Sequence, residues 1–151
     1  MNPTVKKVDD YDYAKCLEIA RDLSEWFNER GIDRMAVDLR AYETYGAYLD
    51  GELVGFVALK FDDGLAEIVW MAVERKYQGR SIGTMLLDFV EEVARGRGAR
   101  LIVVKTSGDP DCQPYAKTRR FYEKRGFVPV LVIDPYPEWG EPMALYVKPV
   151  C

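Results

Sequence analysis

The stretch from Leu65 to Lys105 constrains the fold most, because a strand, a tight loop, a helix and a second strand follow one another without a linker. Leu65–Val73 predicts a strand, and Leu101–Lys105 predicts a short, buried, β-branched one. The helix between them begins at Ser81, and its apolar residues recur at the spacing of one helical face: Ile82, Leu86, Phe89, Val90 and Val93. A strand–helix–strand unit requires a parallel pairing within the sheet.

The residues before this unit predict antiparallel strands joined by tight turns. Thr44–Leu49 and Leu53–Phe61 flank Asp50-Gly51, a strong two-residue hairpin signal. Asp62-Asp63-Gly64 turns the chain again into the strand at Leu65. Parallel and antiparallel pairings in one chain predict a mixed sheet.

The remaining segments complete an α+β fold with about six to seven strands and about four helices. We expect one domain over residues 1–151, because this length suits a single core. Gly31 is expected to end the first helix. The other predicted elements are a strand over Val5–Val8, helices over Tyr13–Phe27, Asp33–Ala41 and Pro114–Arg125, and closing strands over Phe127–Ile133 and Met143–Val147.

Composition narrows the chemistry. The chain has no histidine, which excludes Ser-His and Cys-His catalysis and histidine-ligated metals. The three cysteines (Cys16, Cys112 and Cys151) lack metal-ligand spacing and are interpreted as free thiols in a reducing cytosol. We therefore expect a cytoplasmic protein without a metal. The net charge of −4 argues against nucleic-acid binding, and no apolar run approaches membrane-spanning length.

The loop from Gln78 to Gly83 is a candidate phosphate site. It leads into a helix start, where unpaired N–H groups and the helix dipole attract anions. Glycines between a strand and a helix also serve simply to make a turn, and the residues alone leave both interpretations open. A dinucleotide fingerprint needs three glycines and βαβ units before it, and a Walker loop needs Gly-Lys-Ser/Thr, so neither applies.

Two motifs together resemble the GNAT family of acyl-CoA-dependent N-acyltransferases. Gln78-Gly79-Arg80-Ser81-Ile82-Gly83 is similar to the family's Arg/Gln-x-x-Gly-x-Gly/Ala loop, and Phe121-Tyr122-Glu123-Lys124-Arg125-Gly126-Phe127 is similar to its aromatic-Tyr-Glu-x-x-Gly-Phe element. With the element order, the resemblance covers nearly the whole chain. It implies a GNAT-like fold with acetyl-CoA as the co-substrate.

Three positions depart from the family pattern. Ser81 replaces the first loop glycine, which is tolerable if its φ is negative, and serine there can cap the helix. Tyr115 stands where many members have asparagine. Lys105 stands in the fifth strand where one bacterial subgroup, which acetylates protein N-termini, has a carboxylate, and this weakens a ribosomal-protein type of assignment.

The resemblance implies a role for each site residue. Glu67 corresponds to the general base of the histone-acetylating branch, and Tyr122 to the usual proton or hydrogen-bond donor to the departing thiolate. Each also has a plain structural alternative, as a residue on the exposed strand face for Glu67 and as core packing for Tyr122. Tyr115 is placed near the thioester or in packing. The implied acyl-CoA contacts are Met71, Ala72 and Val73 along the pantetheine arm, and Gln78, Gly79, Arg80, Ser81, Ile82, Gly83 and Thr84 at the pyrophosphate.

The predicted function is direct transfer of an acetyl group from acetyl-CoA to a primary amine in a ternary complex. The acceptor is a small molecule or a protein or peptide, and a homodimer is possible. Asp134–Pro142 is either an acceptor-binding loop or an exposed connection, and the basic residues from Lys117 to Arg125 either meet CoA phosphates or form a solvated surface. The alternatives are a non-catalytic acyl-CoA-binding module with the same fold and an enzyme that uses longer acyl groups.

Overall fold

The computed structural model describes residues 2–150. Within them the chain forms seven strands and four α-helices, and two short 3-10 turns precede α1 and α3. The strands are β1 (Thr4–Lys7), β2 (Glu43–Leu49), β3 (Glu52–Asp62), β4 (Leu65–Val73), β5 (Leu101–Ser107), β6 (Val128–Tyr136) and β7 (Glu141–Pro149), and the helices are α1 (Tyr13–Asp22), α2 (Glu29–Ala41), α3 (Ile82–Gly96) and α4 (Gln113–Lys124).

The strands form one mixed sheet in the order β1-β2-β3-β4-β5-β7-β6. This confirms the predicted α+β class with a mixed sheet. The chain groups into two compact units, which are described separately: residues up to Lys60 with Ile68–Val93, and Phe61–Glu67 with the residues from Ala94 onward. One domain over the full length stays a prediction.

The first unit contains the antiparallel strands β1, β2 and β3 and the helices α1 and α2. Asp50 and Gly51 join β2 to β3 with φ values of 53° and 82°, which is the left-handed pair that a tight hairpin turn requires. The hairpin prediction is therefore confirmed. The core of this unit is built from one face of each helix, including Ile19, Met35 and Leu39, against Phe56 of β3.

The prediction for the first two helices was partly wrong. α1 ends at Asp22, five residues before the expected end at Phe27, and Gly31 lies inside α2. Asn28 accounts for the difference, because its side chain accepts a hydrogen bond from the Gly31 N–H at 2.8 Å and caps a new helix. Since Trp26 and Phe27 still pack against the core, their apolar spacing extended the helix pattern past its real end.

The second unit contains β5, β7 and β6, paired antiparallel in that order, together with α4. The closing hairpin is tighter than expected, because β6 runs on to Tyr136 and β7 begins at Glu141, so much of the predicted loop Asp134–Pro142 is strand. β6 lies at the edge of the sheet and exposes apolar side chains along most of its length, including Val132 at 60% and Val128 at 57%.

Two of the cysteines lie in the described chain, and both are free thiols. Cys16 is buried, and burial, with a smaller contribution from Asp12, raises the pKa of its thiol to about 12. Cys112 is half-buried at the start of α4, and Cys151 lies outside the described residues. No helix within residues 2–150 is long and apolar enough to cross a membrane.

Candidate functional site

The loop before α3 lies in the first unit and has the geometry of an anion-binding turn. Gly79 has a φ of 80°, and Ser81 follows with 66°. Met85 donates its N–H to the Ser81 carbonyl at 3.0 Å, which is the first main-chain bond of the helix. The N–H groups of the first turn therefore lie at the positive end of the helix dipole, where a phosphate group is stabilised.

Ser81 corrects one expectation. A negative φ was the condition for serine at this position, and the structure instead places it in the left-handed region. A side chain with a Cβ is strained there by roughly 1–2 kcal/mol. Glycine, which the family motif has at this position, would avoid that strain, so serine adds conformational strain to the loop.

Gln78 ties the loop to the end of β4. Its side-chain Nε2 donates to the Val73 carbonyl at 3.1 Å, so this amide is engaged with the main chain. Ala72 is buried, whereas Met71 and Val73 are half-buried on the opposite face of the strand. The structure thus brings together two groups of predicted acyl-CoA contacts, the strand end and the loop, through one side-chain hydrogen bond.

Arg75, just before the loop, holds the end of α1. Its guanidinium contacts both carboxylate oxygens of Glu25 at 2.7 Å and the Asp22 carbonyl at 2.6 Å. The hydrogen bonds from Arg75 lower the pKa of Glu25 to about 2. Sequence reasoning missed this clamp, because about fifty residues separate the partners and no local pattern links them.

An indole on β4 fixes the position of α2. Trp70 donates its Nε1–H to the buried Asp38 at 2.9 Å, and its ring meets Phe27 edge-on at 6.0 Å. Gly31 lies beside the tip of the indole, and a Cβ there would make an ordinary contact with it at 3.8 Å. Asp38 also pairs with Arg34 at 3.4 Å, so its buried carboxylate is compensated.

Glu67 lies in the second unit and faces a lysine. Its Oε2 is 3.6 Å from the Nζ of Lys105, and 25% and 32% of the two side chains remain exposed. Desolvation alone would lower the pKa of Lys105, but the attraction of Glu67, assisted by Tyr136 and Glu138, outweighs it and raises that pKa. The pair therefore joins a carboxylate and a stable ammonium, both within reach of solvent.

Tyr122 and Tyr115 lie on α4 in the same unit. Tyr122 is buried between the rings of Phe121 and Phe127, at centroid distances of 5.4 and 5.2 Å. Burial, with a smaller contribution from Tyr115, raises the pKa of Tyr122. Burial also raises the pKa of Tyr115 to about 12, with smaller contributions from Cys112 and Glu141. Both phenols thus stay protonated at neutral pH.

Two basic residues of α4 have structural roles. Arg119 donates to the Ser107 and Asp109 carbonyls and so holds the connection between β5 and α4. Arg125 stacks on Phe121, with its guanidinium carbon 3.9 Å from the ring centroid. Neither the phosphate contact nor the solvated surface expected for this basic run describes these two residues, because both are half-buried and engaged within the fold.

Comparison with known proteins identifies the family. The model of the acetyltransferase (GNAT) family matches residues 13–127 of this chain. The chain belongs to the GNAT family. The matched region contains the loop before α3, Glu67 and the whole of α4.

Individual relatives cover different shares of this GNAT chain. A mycothiol acetyltransferase of Beutenbergia cavernae is 34% identical over 88 residues, which are 58% of this chain and 28% of the relative. The matched regions also make up less than two thirds of the other curated relatives.

Solved structures match the GNAT fold from end to end. A GNAT-family protein of Desulfovibrio desulfuricans superposes with a TM-score of 0.86 at 25% identity, covering 99% of both chains. The PaiA N-acetyltransferase of Thermoplasma acidophilum, solved in complex with coenzyme A, has a TM-score of 0.76 at 21% identity and covers 99% of both chains. At 21% identity, the similarity to the Thermoplasma acidophilum structure shows the fold alone.

The described part of this GNAT chain has no evident metal centre, because no three cysteine, aspartate or glutamate side chains among residues 2–150 cluster in a way that would hold an ion. The structural contacts that sequence reasoning missed are those of Arg75, which clamps α1, and Arg119, which anchors the connection before α4. Lys105 was noticed only as a departure from a subgroup pattern, and its pairing with Glu67 had no local signal.

Proposed function

We propose that this chain is an acetyl-CoA-dependent N-acetyltransferase that passes the acetyl group directly to a primary amine in a ternary complex. The observation that carries the proposal is the turn before α3, where Gly79 and Ser81 adopt left-handed conformations directly ahead of a helix start. That geometry favours a pyrophosphate, and membership of the GNAT family supports coenzyme A as its source.

The proposed co-substrate site uses main-chain groups. The amides from Gly79 to Thr84 bind the pyrophosphate, and Arg80, which is exposed, adds a positive charge. The main chain of Met71, Ala72 and Val73 pairs with the pantetheine arm as an added strand would. An N–H at this strand end polarises the thioester carbonyl and stabilises the oxyanion of the tetrahedral intermediate. No metal is required for these steps.

Glu67 is the proposed general base. An amine of lysine type titrates near ~10.4, so it arrives as an ammonium and must lose a proton before it attacks. Glu67 takes that proton directly or through water, which its exposed fraction of 25% permits. The amine nitrogen then bonds to the acetyl carbonyl carbon, and the C–S bond breaks.

Tyr122 is the proposed hydrogen-bond donor to the departing thiolate. A free thiol near ~8.5 is a stronger acid than a phenol near ~10, so full proton transfer is uphill by about 2 kcal/mol. Burial raises the pKa of Tyr122 further, which favours a retained phenolic proton that stabilises the thiolate through a hydrogen bond. The nitrogen loses its second proton to solvent after the attack, and Glu67 also returns its proton to solvent. The thiolate takes up one proton from solvent, so one proton is released overall.

The test is release of coenzyme A from acetyl-CoA with a panel of polyamines, amino acids, aminoglycosides and lysine peptides. Turnover with any of these amines supports the enzyme. Tight binding of acetyl-CoA with no turnover on any of them favours the non-catalytic binding module. Turnover only with a longer acyl-CoA favours an enzyme that uses longer acyl groups.

Two variants test the residue roles, each with an exposed control. Glu67→Gln should lower turnover and flatten its pH dependence, whereas Glu52→Gln should not; an unchanged pH profile in the first variant contradicts the base assignment. Tyr122→Phe should lower turnover with little change in acetyl-CoA affinity, with Tyr11→Phe as its control, since Tyr11 is 81% exposed. Turnover at the wild-type rate in Tyr122→Phe would favour a role for Tyr122 in core packing alone.

The cytoplasmic location and the absence of nucleic-acid and membrane partners stay predictions of the sequence.

A further inference from the structure

Lys105 gives the surroundings of Glu67 a positive charge that a general base does not need. Side chains alternate along β5, so Ile102, Val104 and Thr106 are buried and Lys105 lies on the other face with about a third of its side chain exposed. Its Nζ is 5.7 Å from the ring centroid of Tyr136, and Glu138 of the same hairpin helps to hold it charged.

The contact between Lys105 and Glu67 is loose. At 3.6 Å, its nitrogen and oxygen are beyond hydrogen-bonding distance, so the pair is held by charge attraction alone. An ammonium carries three N–H donors, and one of them engages the side chain of Tyr136. The others can turn toward a ligand while the ammonium stays beside Glu67. The carboxylate is likewise reachable, with a quarter of its side chain exposed.

This arrangement discriminates between kinds of amine. A simple cationic acceptor that approaches Glu67 also approaches the like charge of Lys105, which is unfavourable. An acceptor with its own carboxylate turns that repulsion into attraction. In an α-amino acid the amine nitrogen and a carboxylate oxygen lie about 3 Å apart, because two single bonds and one C–O bond separate them. That spacing suits two partners that are 3.6 Å apart.

We propose that Lys105 determines acceptor specificity and that the acceptor is a free α-amino acid, whose carboxylate binds the Lys105 ammonium while Glu67 takes the proton from its amine. This inference rests on the proposed acetyltransferase function. The Tyr136 and Trp139 rings, in edge contact at 5.1 Å, form an aromatic surface next to Lys105 on which an apolar side chain would pack. The amine proton, the new N–C bond and the broken C–S bond are those of the reaction above.

The experiment compares kcat/KM for three matched acceptors: phenylalanine, phenylalaninamide and phenethylamine. A charge-assisted hydrogen bond is the main difference between the first two, so the wild-type protein should prefer phenylalanine by about 10- to 100-fold. Lys105→Met should abolish that preference and leave or raise the rate with the amide. Lys105→Arg should retain most of the preference, because it keeps the charge.

Lys60→Met serves as the control, since Lys60 is an exposed lysine on β3 and its replacement should leave the preference intact. The inference is overturned if Lys105→Met discriminates between the acid and the amide as the wild type does. It is also overturned if the kcat/KM of the wild type for phenethylamine or for the amide equals that for phenylalanine. That result leaves the acetyltransferase proposal standing. Absence of turnover with every amine, despite binding of acetyl-CoA, overturns both proposals.

Discussion

The conformation of Ser81 makes a sharp prediction, because glycine and alanine should have opposite effects at two adjacent positions of the loop. At Ser81, with a φ of 66°, glycine removes the strain of a left-handed Cβ, and alanine keeps that strain. Arg80 is not among the residues with positive φ in the described chain, so glycine there only adds freedom to the unfolded state.

The magnitude follows from these terms. Relief of ~1–2 kcal/mol of strain, less ~0.5–1 kcal/mol for the extra freedom of glycine, makes Ser81→Gly more stable than the wild type by about 0.5 kcal/mol. Ser81→Ala keeps the left-handed Cβ and should therefore be about as stable as the wild type. At Arg80 the order reverses, with alanine above glycine by about 0.5–1 kcal/mol.

Urea unfolding measures these differences. With an m value of about 1–3 kcal/mol per molar for a protein of this type, Ser81→Gly should have a midpoint about 0.2–0.5 M above that of Ser81→Ala, with m unchanged. The affinity for acetyl-CoA should be retained in Ser81→Gly, because the loop keeps its path. The reasoning is refuted if Ser81→Ala unfolds at the same urea concentration as Ser81→Gly or above it.

Three further predictions concern other parts of the fold. Gly31→Ala should raise the free energy of unfolding by about 0.5–1 kcal/mol in thermal or urea unfolding, because its Cβ would meet only ordinary contacts inside α2; destabilisation would contradict the described packing. The Glu25 carboxyl should titrate by NMR near a pKa of about 2, so that its bond to Arg75 strengthens the fold above the unfolded pKa of 4.5 and is lost as the pH falls from 4.5 to about 2. In Arg75→Met the pKa of Glu25 should return toward 4.5, and a pKa that stays near about 2 would exclude the clamp. If a homodimer forms through the apolar edge strand β6, light scattering should give twice 17.3 kDa, and Val132→Glu should yield monomers where Val37→Glu, on an exposed helix position, does not; a monomeric wild type would refute the homodimer.

Local chemistry explains which elements the sequence predicted well. β4 has the predicted bounds, Leu65–Val73, because a left-handed turn at Asp63 and Gly64 fixes its start and the loop to α3 follows its end. The loop before α3 was likewise located by its glycines. The conformation of Ser81 was not predicted, because serine at a helix start normally has a negative φ, whereas Ser81 has a φ of 66°.

Partners distant in sequence explain what could not be predicted. The pattern of apolar residues continued through Trp26, although α1 ends at Asp22, where the Asp22 carbonyl and the Glu25 carboxylate bind a guanidinium about fifty residues away. The resemblance to the histone-acetylating branch made Glu67 a candidate base. Its partner Lys105 depends on how β5 is placed in the sheet, and no spacing in a single sequence reports that.

The geometry of the ion pairs made by Arg75 and Lys105 indicates which of these two cations is available to bind a ligand. Arg75 makes several contacts of 2.6–2.7 Å to Asp22 and Glu25, so a ligand that recruited it would first have to break short hydrogen bonds. Lys105 lies 3.6 Å from Glu67 and therefore makes no hydrogen bond that a ligand would have to break at that contact. The tightly bound Arg75 thus fits a structural clamp, and the loosely paired Lys105 fits a group that receives an acceptor's carboxylate. Removal of Arg75 should consequently affect the order of the segment after α1, whereas removal of Lys105 should affect the choice of acceptor.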